Sequence, residues 1–225
     1  MRWNKGFTLV EILIAIAIAG VVMAGIYSAY SSQQRSYIVQ EQVAGMQQNL
    51  RAAMDLMERE IRMAGYDPTG GAGAKIITAD IAELQFRIDV NGDGDFTKPG
   101  SPPGNDTNEQ LRYALKLDAD RDGIADGNPC GLGRATWGSG LMPVAENIDA
   151  LNFVYLDKDG NPTTTLEEIR SVQIALVGRT GRGDPRYKDA AIYRNQQGAV
   201  VLPQQNDNFR RKLLTAQVNC RNLAF

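Results

Sequence analysis

Residues 7–26, FTLVEILIAIAIAGVVMAGI, form an apolar run of 20 residues interrupted by one charge, Glu11. As a helix rising about 1.5 Å per residue, such a run crosses a hydrocarbon core about 30 Å thick. Arg2 and Lys5 precede it, and no acidic residue stands among the first six. The excess of positive charge on that side predicts a cytoplasmic start and an exported remainder. An acidic residue at a membrane helix centre costs about 2.5–3.5 kcal/mol on insertion scales, and less toward the ends. Two plain readings are open: a secretory signal cut after Ala17-Ile18-Ala19, and an uncleaved anchor. Neither gives Glu11 a role.

The 225 residues suit one domain with an appended element. A hydrophobic share of 43% is ample for a core, and the net charge of -2, with no dominant Lys/Arg cluster, leaves no nucleic-acid footprint. There is no histidine, which removes Ser-His and Cys-His catalysis, His-ligated zinc and histidine general bases. The acidic residues cluster in turn-rich loops, no nucleophile–base set can be assembled, and the reading is of a protein that is not an enzyme.

No proline occurs before Pro68, and residues 27–64 are rich in helix formers. Val43, Met46, Leu50, Ala53, Met57, Ile61 and Ala64 recur in steps of three and four, the stripe of a one-faced helix. Gly65 and Pro68 form a stop signal. One helix over 7–64 would run about 87 Å, apolar all round in its first half and amphipathic in its second. Beyond it the period becomes two. Leu84, Phe86, Ile88 and Val90; Leu111, Tyr113, Leu115 and Leu117; Leu151, Phe153 and Tyr155; and Val172, Ile174 and Leu176 each alternate with other residues. With a last strand over 213–219, these predict an antiparallel sheet with one covered face, the helix being the cover. The fold class expected is α+β: a long N-terminal helix packed on a C-terminal antiparallel sheet domain.

Gly6, Phe7, Thr8, Leu9, Val10 and Glu11 resemble, without a gap, the type IV prepilin signal, which has a short basic leader ending in glycine ahead of Phe-Thr-Leu-(Ile/Val)-Glu. The resemblance implies cleavage between Gly6 and Phe7 by prepilin peptidase, then N-methylation of Phe7. It divides the chain into a leader (1–6), a long helix (7–65, with 7–26 in the membrane) and a β-rich domain (66–225). It also offers Glu11 a partner: the new amine at Phe7 of a neighbouring subunit. Two charges each costly alone become tolerable together. The competing reading is that Glu11 snorkels to the headgroups or meets its own amine. Many major pilins carry a helix-breaking proline in the membrane half; here Gly20 and Gly25 stand there, and any loosening of the helix is expected at them. "LMEREIRMAGY", "AENIDALNFVYLDKDG", "IRSVQIALVGRT" and "RRKLLTAQVNCRN" look like the PilW-like minor pilins, with the J-type pseudopilin of type II secretion a close relative.

This resemblance implies a minor pilin that primes assembly or forms the tip of a type IV pilus, with other minor and major pilins, prepilin peptidase and the inner-membrane assembly platform as partners. Its domain would be periplasmic before assembly and extracellular, at the pilus, afterwards. A pseudopilin of type II secretion and a tip adhesin or calcium-dependent binding module are the alternatives.

Three acidic loops stand out. In "DVNGDGDF", Asp89, Asn91, Asp93, Asp95 and Gly94 follow the front of a calcium loop, though Gly100 stands where a bidentate Glu belongs and a strand precedes it. In "DADRDGIADG", Asp118, Asp120, Asp122 and Asp126 place four carboxylates within nine residues, whose repulsion a hard divalent cation would relieve. For both, the competing reading is a solvated turn-rich loop. "LDKDGNP", with Asp157, Asp159, Gly160 and Asn161, reads as a hairpin turn. The two cysteines, Cys130 and Cys220, are in no metal or redox spacing, and in an exported domain they are expected to form one disulfide.

Overall fold

The structure, a computed structural model, describes residues 6–96, 108–127 and 130–223. Two compact units divide the chain, Met1–Gln42 and Val43–Phe225.

The first unit holds the N-terminal part of helix α1 (Leu9–Arg62). All residues from Gly6 to Tyr30 are exposed, so the apolar run has no protein cover within the chain. This helix is long and apolar enough to cross a membrane, and an uncovered apolar cylinder is what a bilayer solvates.

In the second unit the remainder of α1 buries Met46, Leu50, Ala53, Met54, Met57 and Ile61. The expected stripe is present, and Met54 joins it. Gly65 ends the element. Its φ of +81° is a left-handed conformation that costs glycine little, and a Cβ there would sit 2.4 Å from Leu223 Cδ2. The Gly65 N–H donates to the Arg87 carbonyl, joining the end of α1 to the sheet.

The strands form two main antiparallel sheets rather than one. The first has the order β1 (Ile76–Ala79), β2 (Glu83–Arg87), β3 (Gln110–Leu115), β4 (Gly131–Thr136) and β5 (Met142–Glu146). The second has the order β10 (Arg211–Asn219), β7 (Ser171–Arg179) and β6 (Ile148–Leu156). A small hairpin pairs β8 (Tyr193–Arg194) with β9 (Val200–Leu202). Leu84, Phe86, Leu111, Tyr113, Leu132, Leu151, Phe153, Val172, Ile174 and Leu176 share one core with the helix stripe. The expectation of a single covered face fails at β7. Ala175 and Val177, on its other face, pack with Ala150, Val201 and Leu202 under the small hairpin. A strand covered on both faces reads as a nearly continuous apolar run, and VQIALVG does.

Two features fix the helix on the sheets. A Cβ on Gly178 would lie 2.9 Å from Leu50 Cδ2 and Cγ, so glycine at this point of β7 lets the helix approach closely. Glu60 accepts hydrogen bonds from Arg134 Nε (2.9 Å to Oε2) and from the hydroxyl of the fully buried Tyr113. Farther along, Arg211 ties three segments together through Asp149 (2.6 Å), Asp207 (2.6 Å) and Asp189 (3.0 Å).

The expected Cys130–Cys220 disulfide is not formed; both are buried free thiols. The topology explains why. The Cys130 carbonyl accepts from Ile148 N, at the start of β6. Cys220 N donates to Arg170, next to Ser171, which pairs with Leu156 at the far end of β6. Eight steps along a strand at about 3.3 Å each hold the two residues far beyond the Cα separation of about 7 Å that a disulfide spans. Burial instead pushes both thiols above their ordinary pKa.

Candidate functional site: the helix start and the acidic loops

Gly6, Phe7 and Thr8 precede α1 and are exposed and non-helical. The helix begins at Leu9 because Thr8 caps it. Thr8 Oγ1 accepts from Glu11 N (3.3 Å), while the Thr8 N–H and hydroxyl both donate to Glu11 Oε2 (2.8 Å each). This is a reciprocal capping box, with Thr at the N-cap and Glu three residues on. It satisfies two of the donors a helix start leaves open, a larger matter where no water competes. The Gly6–Phe7 bond thus lies outside the helix. Glu11 has an intramolecular role that its reading as an isolated charge missed, although Thr-x-x-Glu before an apolar run is legible in sequence. Among the described residues no hydrogen bond engages Glu11 Oε1.

The first acidic loop leaves the end of β2, and the second leaves the opposite end of β3. In the first, Asp89 is fully buried and its carboxylate accepts from Gly92 N (2.7 Å) and Gly94 N (3.2 Å). Asn91 accepts from Asp93 N, and Asp93 from Asp95 N. The carboxylates that converge, within 4.8 Å of one another, are Asp89, Asp93 and Glu109. Asp95 is not in that group. Glu109, also buried, accepts from Val90 N and Asn91 N; it lies beyond the sequence motif, and only the return of the chain into β3 brings it in. Gly100 lies outside the described residues.

In the second loop Asp118, Asp120 and Asp126 converge within 4.8 Å, while Asp122 turns aside to accept from Ile124 N (2.7 Å). Asp118 Oδ2 accepts from Gly123 N (3.1 Å), and Asp126 Oδ2 from Ala119 N (2.6 Å). Asp118 Oδ1 is buried without a hydrogen-bond partner among the described residues. Burial pushes the Asp118 carboxyl above its ordinary pKa of 3.8; the Gly123 N–H opposes this, and Asp122 and Asp120 add repulsion. An all-oxygen donor set with such an orphan fits a hard cation. The third loop is the expected turn: Asp157 Oδ1 accepts from Asp159 N and Asn161 N, and Gly160 has a φ of +83°.

Two family models match the chain, one at each part. Residues 2–27 match the family described as "Prokaryotic N-terminal methylation motif". Residues 39–202 match the family described as "Prepilin peptidase-dependent protein B". No curated protein matches the chain. Among solved structures, a type IV-like pilin from Thermus thermophilus is similar at 13% identity and a TM-score of 0.46, over 79% of this chain and 97% of that one. The long N-terminal helix and antiparallel sheet domain are the α+β architecture that the sequence predicts. With well over half of its length matched by one family, and its helix start by the methylation motif, the chain belongs to the prepilin peptidase-dependent protein B family.

Proposed function

We propose that the chain is a minor pilin, cut between Gly6 and Phe7, N-methylated at Phe7, and incorporated with other pilins to prime assembly or form the tip of a type IV pilus. The observation that carries this reading is the helix start. A non-helical Gly6–Phe7 bond stands immediately before a capped helix whose first apolar residues, through Ile26, have no cover inside the chain. In a membrane-embedded polymer, Glu11 pairs through Oε1 with the Phe7 amine of a neighbour while Oε2 stays with Thr8. Glu11→Gln keeps an acceptor oxygen for Thr8 but removes the charge, so it retains cleavage and loses incorporation. Loss of cleavage in that variant would count against this division of roles. Deleting the chain should reduce pilus number and twitching. Unchanged pili with lost type II secretion would make it a pseudopilin instead.

A second reading, calcium binding in the Asp118 loop, is favoured by the buried and unpartnered Asp118 Oδ1. Millimolar calcium should raise the melting temperature, chelator should reverse the rise, and Asp118→Asn should abolish it. No shift in the parent chain would end this reading.

A further inference from the structure

Among the described residues, the two main sheets have four outer edges, and three of them are short, irregular or occupied. β1 is four residues long with an irregular register, and β5 carries Pro143 and a register shift against β4. The outer edge of β6 is occupied: Leu151 N donates to Gly123, Phe153 N to Ile81, Ala125 N to Asp149 and Thr163 N to Tyr155. β10 differs. It pairs with β7 over nine residues without a register shift, and it contains no proline. Thr180 N bonds Arg210 O at one end and Cys220 N bonds Arg170 O at the other. This sets the parity: the even-numbered residues of β10 bond to β7. The N–H and C=O groups of Arg211, Leu213, Thr215, Gln217 and Asn219 point away from the sheet. None of them takes part in a backbone hydrogen bond among the described residues. A long regular edge left open is a template for another strand.

We infer that β10 is a strand-addition site for an extended, amphipathic, acidic segment of a partner protein. The side chains beside the edge specify it. Leu214 and Ala216, half-buried against the core, lie on one face. Thr215, Gln217 and Asn219, exposed and polar, lie on the other. An added strand therefore alternates apolar and polar residues to match its neighbours. Lys212 near one end and Arg221 just past the other are exposed cations, and neither β10 nor β7 contains an acidic residue. The complementary segment is acidic at its ends, whereas a second antiparallel copy of β10 would bring Arg221 toward the other copy's Arg210 and Lys212. The inference goes beyond the pilin reading and stands on the edge geometry, so its failure leaves that reading untouched.

The test is residue-resolved amide exchange on the full chain in lipid nanodiscs. The probe is a synthetic nine-residue peptide of alternating valine and threonine with a glutamate at each end. In the free chain the amides of Leu213, Thr215 and Gln217 exchange quickly and those of Leu214 and Ala216 slowly. Excess peptide should slow the first group at least about tenfold, the loss expected when an exposed amide joins a ladder. Thr215→Pro and Gln217→Pro remove only outward N–H groups, so each should keep its melting temperature and lose peptide protection. The inference is overturned if the peptide gives no protection, if a lysine-ended peptide protects equally, or if both proline variants still show full protection. Protection that grows with chain concentration without peptide would also overturn it, in favour of a second copy.

Discussion

The close approach of the helix to β7 yields a prediction whose sign changes with background. Gly178→Ala places a methyl group where Leu50 Cδ2 and Cγ already stand, 2.9 Å from the new Cβ. Leu50 is 1% exposed and on a helix, so it has little room to yield. Overpacking of this kind costs about 1–3 kcal/mol. Leu50→Ala alone should cost about 2.7–5 kcal/mol, the range for emptying a buried leucine site. In the Leu50→Ala background the clash is gone, and alanine within a strand is favoured over glycine by about 0.5–1 kcal/mol. Gly178→Ala should therefore destabilise the parent and stabilise the Leu50→Ala variant. Denaturant unfolding of the four proteins in detergent, followed by circular dichroism, measures the cycle. An equal cost for Gly178→Ala in both backgrounds would refute the packing of Leu50 onto Gly178.

Other predictions concern charge. The hydrogen bonds from Arg211 to Asp207 and from Arg210 to Asp184 hold both carboxyls below their ordinary pKa of 3.8. A depressed folded pKa contributes stability that is present above the unfolded value and lost as pH falls through the folded one. These two contributions should persist from neutral pH to about pH 4 and vanish below it, and Asp207→Asn should flatten that acid limb of the unfolding midpoint. Asp118 has the opposite sign: its raised pKa favours the fold at low pH, and that contribution disappears as pH rises through the folded value. Glu60→Leu orphans the Tyr113 hydroxyl and the Arg134 guanidinium together. It should cost about 1–3 kcal/mol in denaturant unfolding, the penalty for stranded buried partners. A cost within the range of ordinary surface substitutions would show that the triad does not hold the helix.

Much of this architecture is legible because it rests on periodicity. The helix stripe from Met46 to Ala64 and the alternation in β2, β3, β6 and β7 are direct consequences of burying one face. The elements that escape notice are those whose residues serve a neighbour rather than their own propensity. β4 reads GLGRAT because a Cβ at Gly131 would lie 2.5 Å from the Ala145 carbonyl, and one at Gly133 2.8 Å from Leu141 Cβ. The glycines that disguise it as a loop are what let β5 pack beside it. β5 itself carries a proline, which argues against a central strand and suits an edge. The division into two sheets is a matter of long-range pairing, which no local pattern carries. The same holds for Glu109, which reaches Asp89 only through the tertiary return of the chain, and for the cysteines, whose pairing depended on a distance along β6.

The helix start matches the methylation motif in sequence, and the structure adds the cap that sets where the helix begins. The most direct test of the pilin reading is the mature N-terminus of the protein recovered from cells that carry prepilin peptidase, read by mass spectrometry. The expected result is a chain beginning at N-methylated Phe7. A chain that keeps Met1, or one that begins at Gly20 after the Ala17-Ile18-Ala19 run, would contradict it.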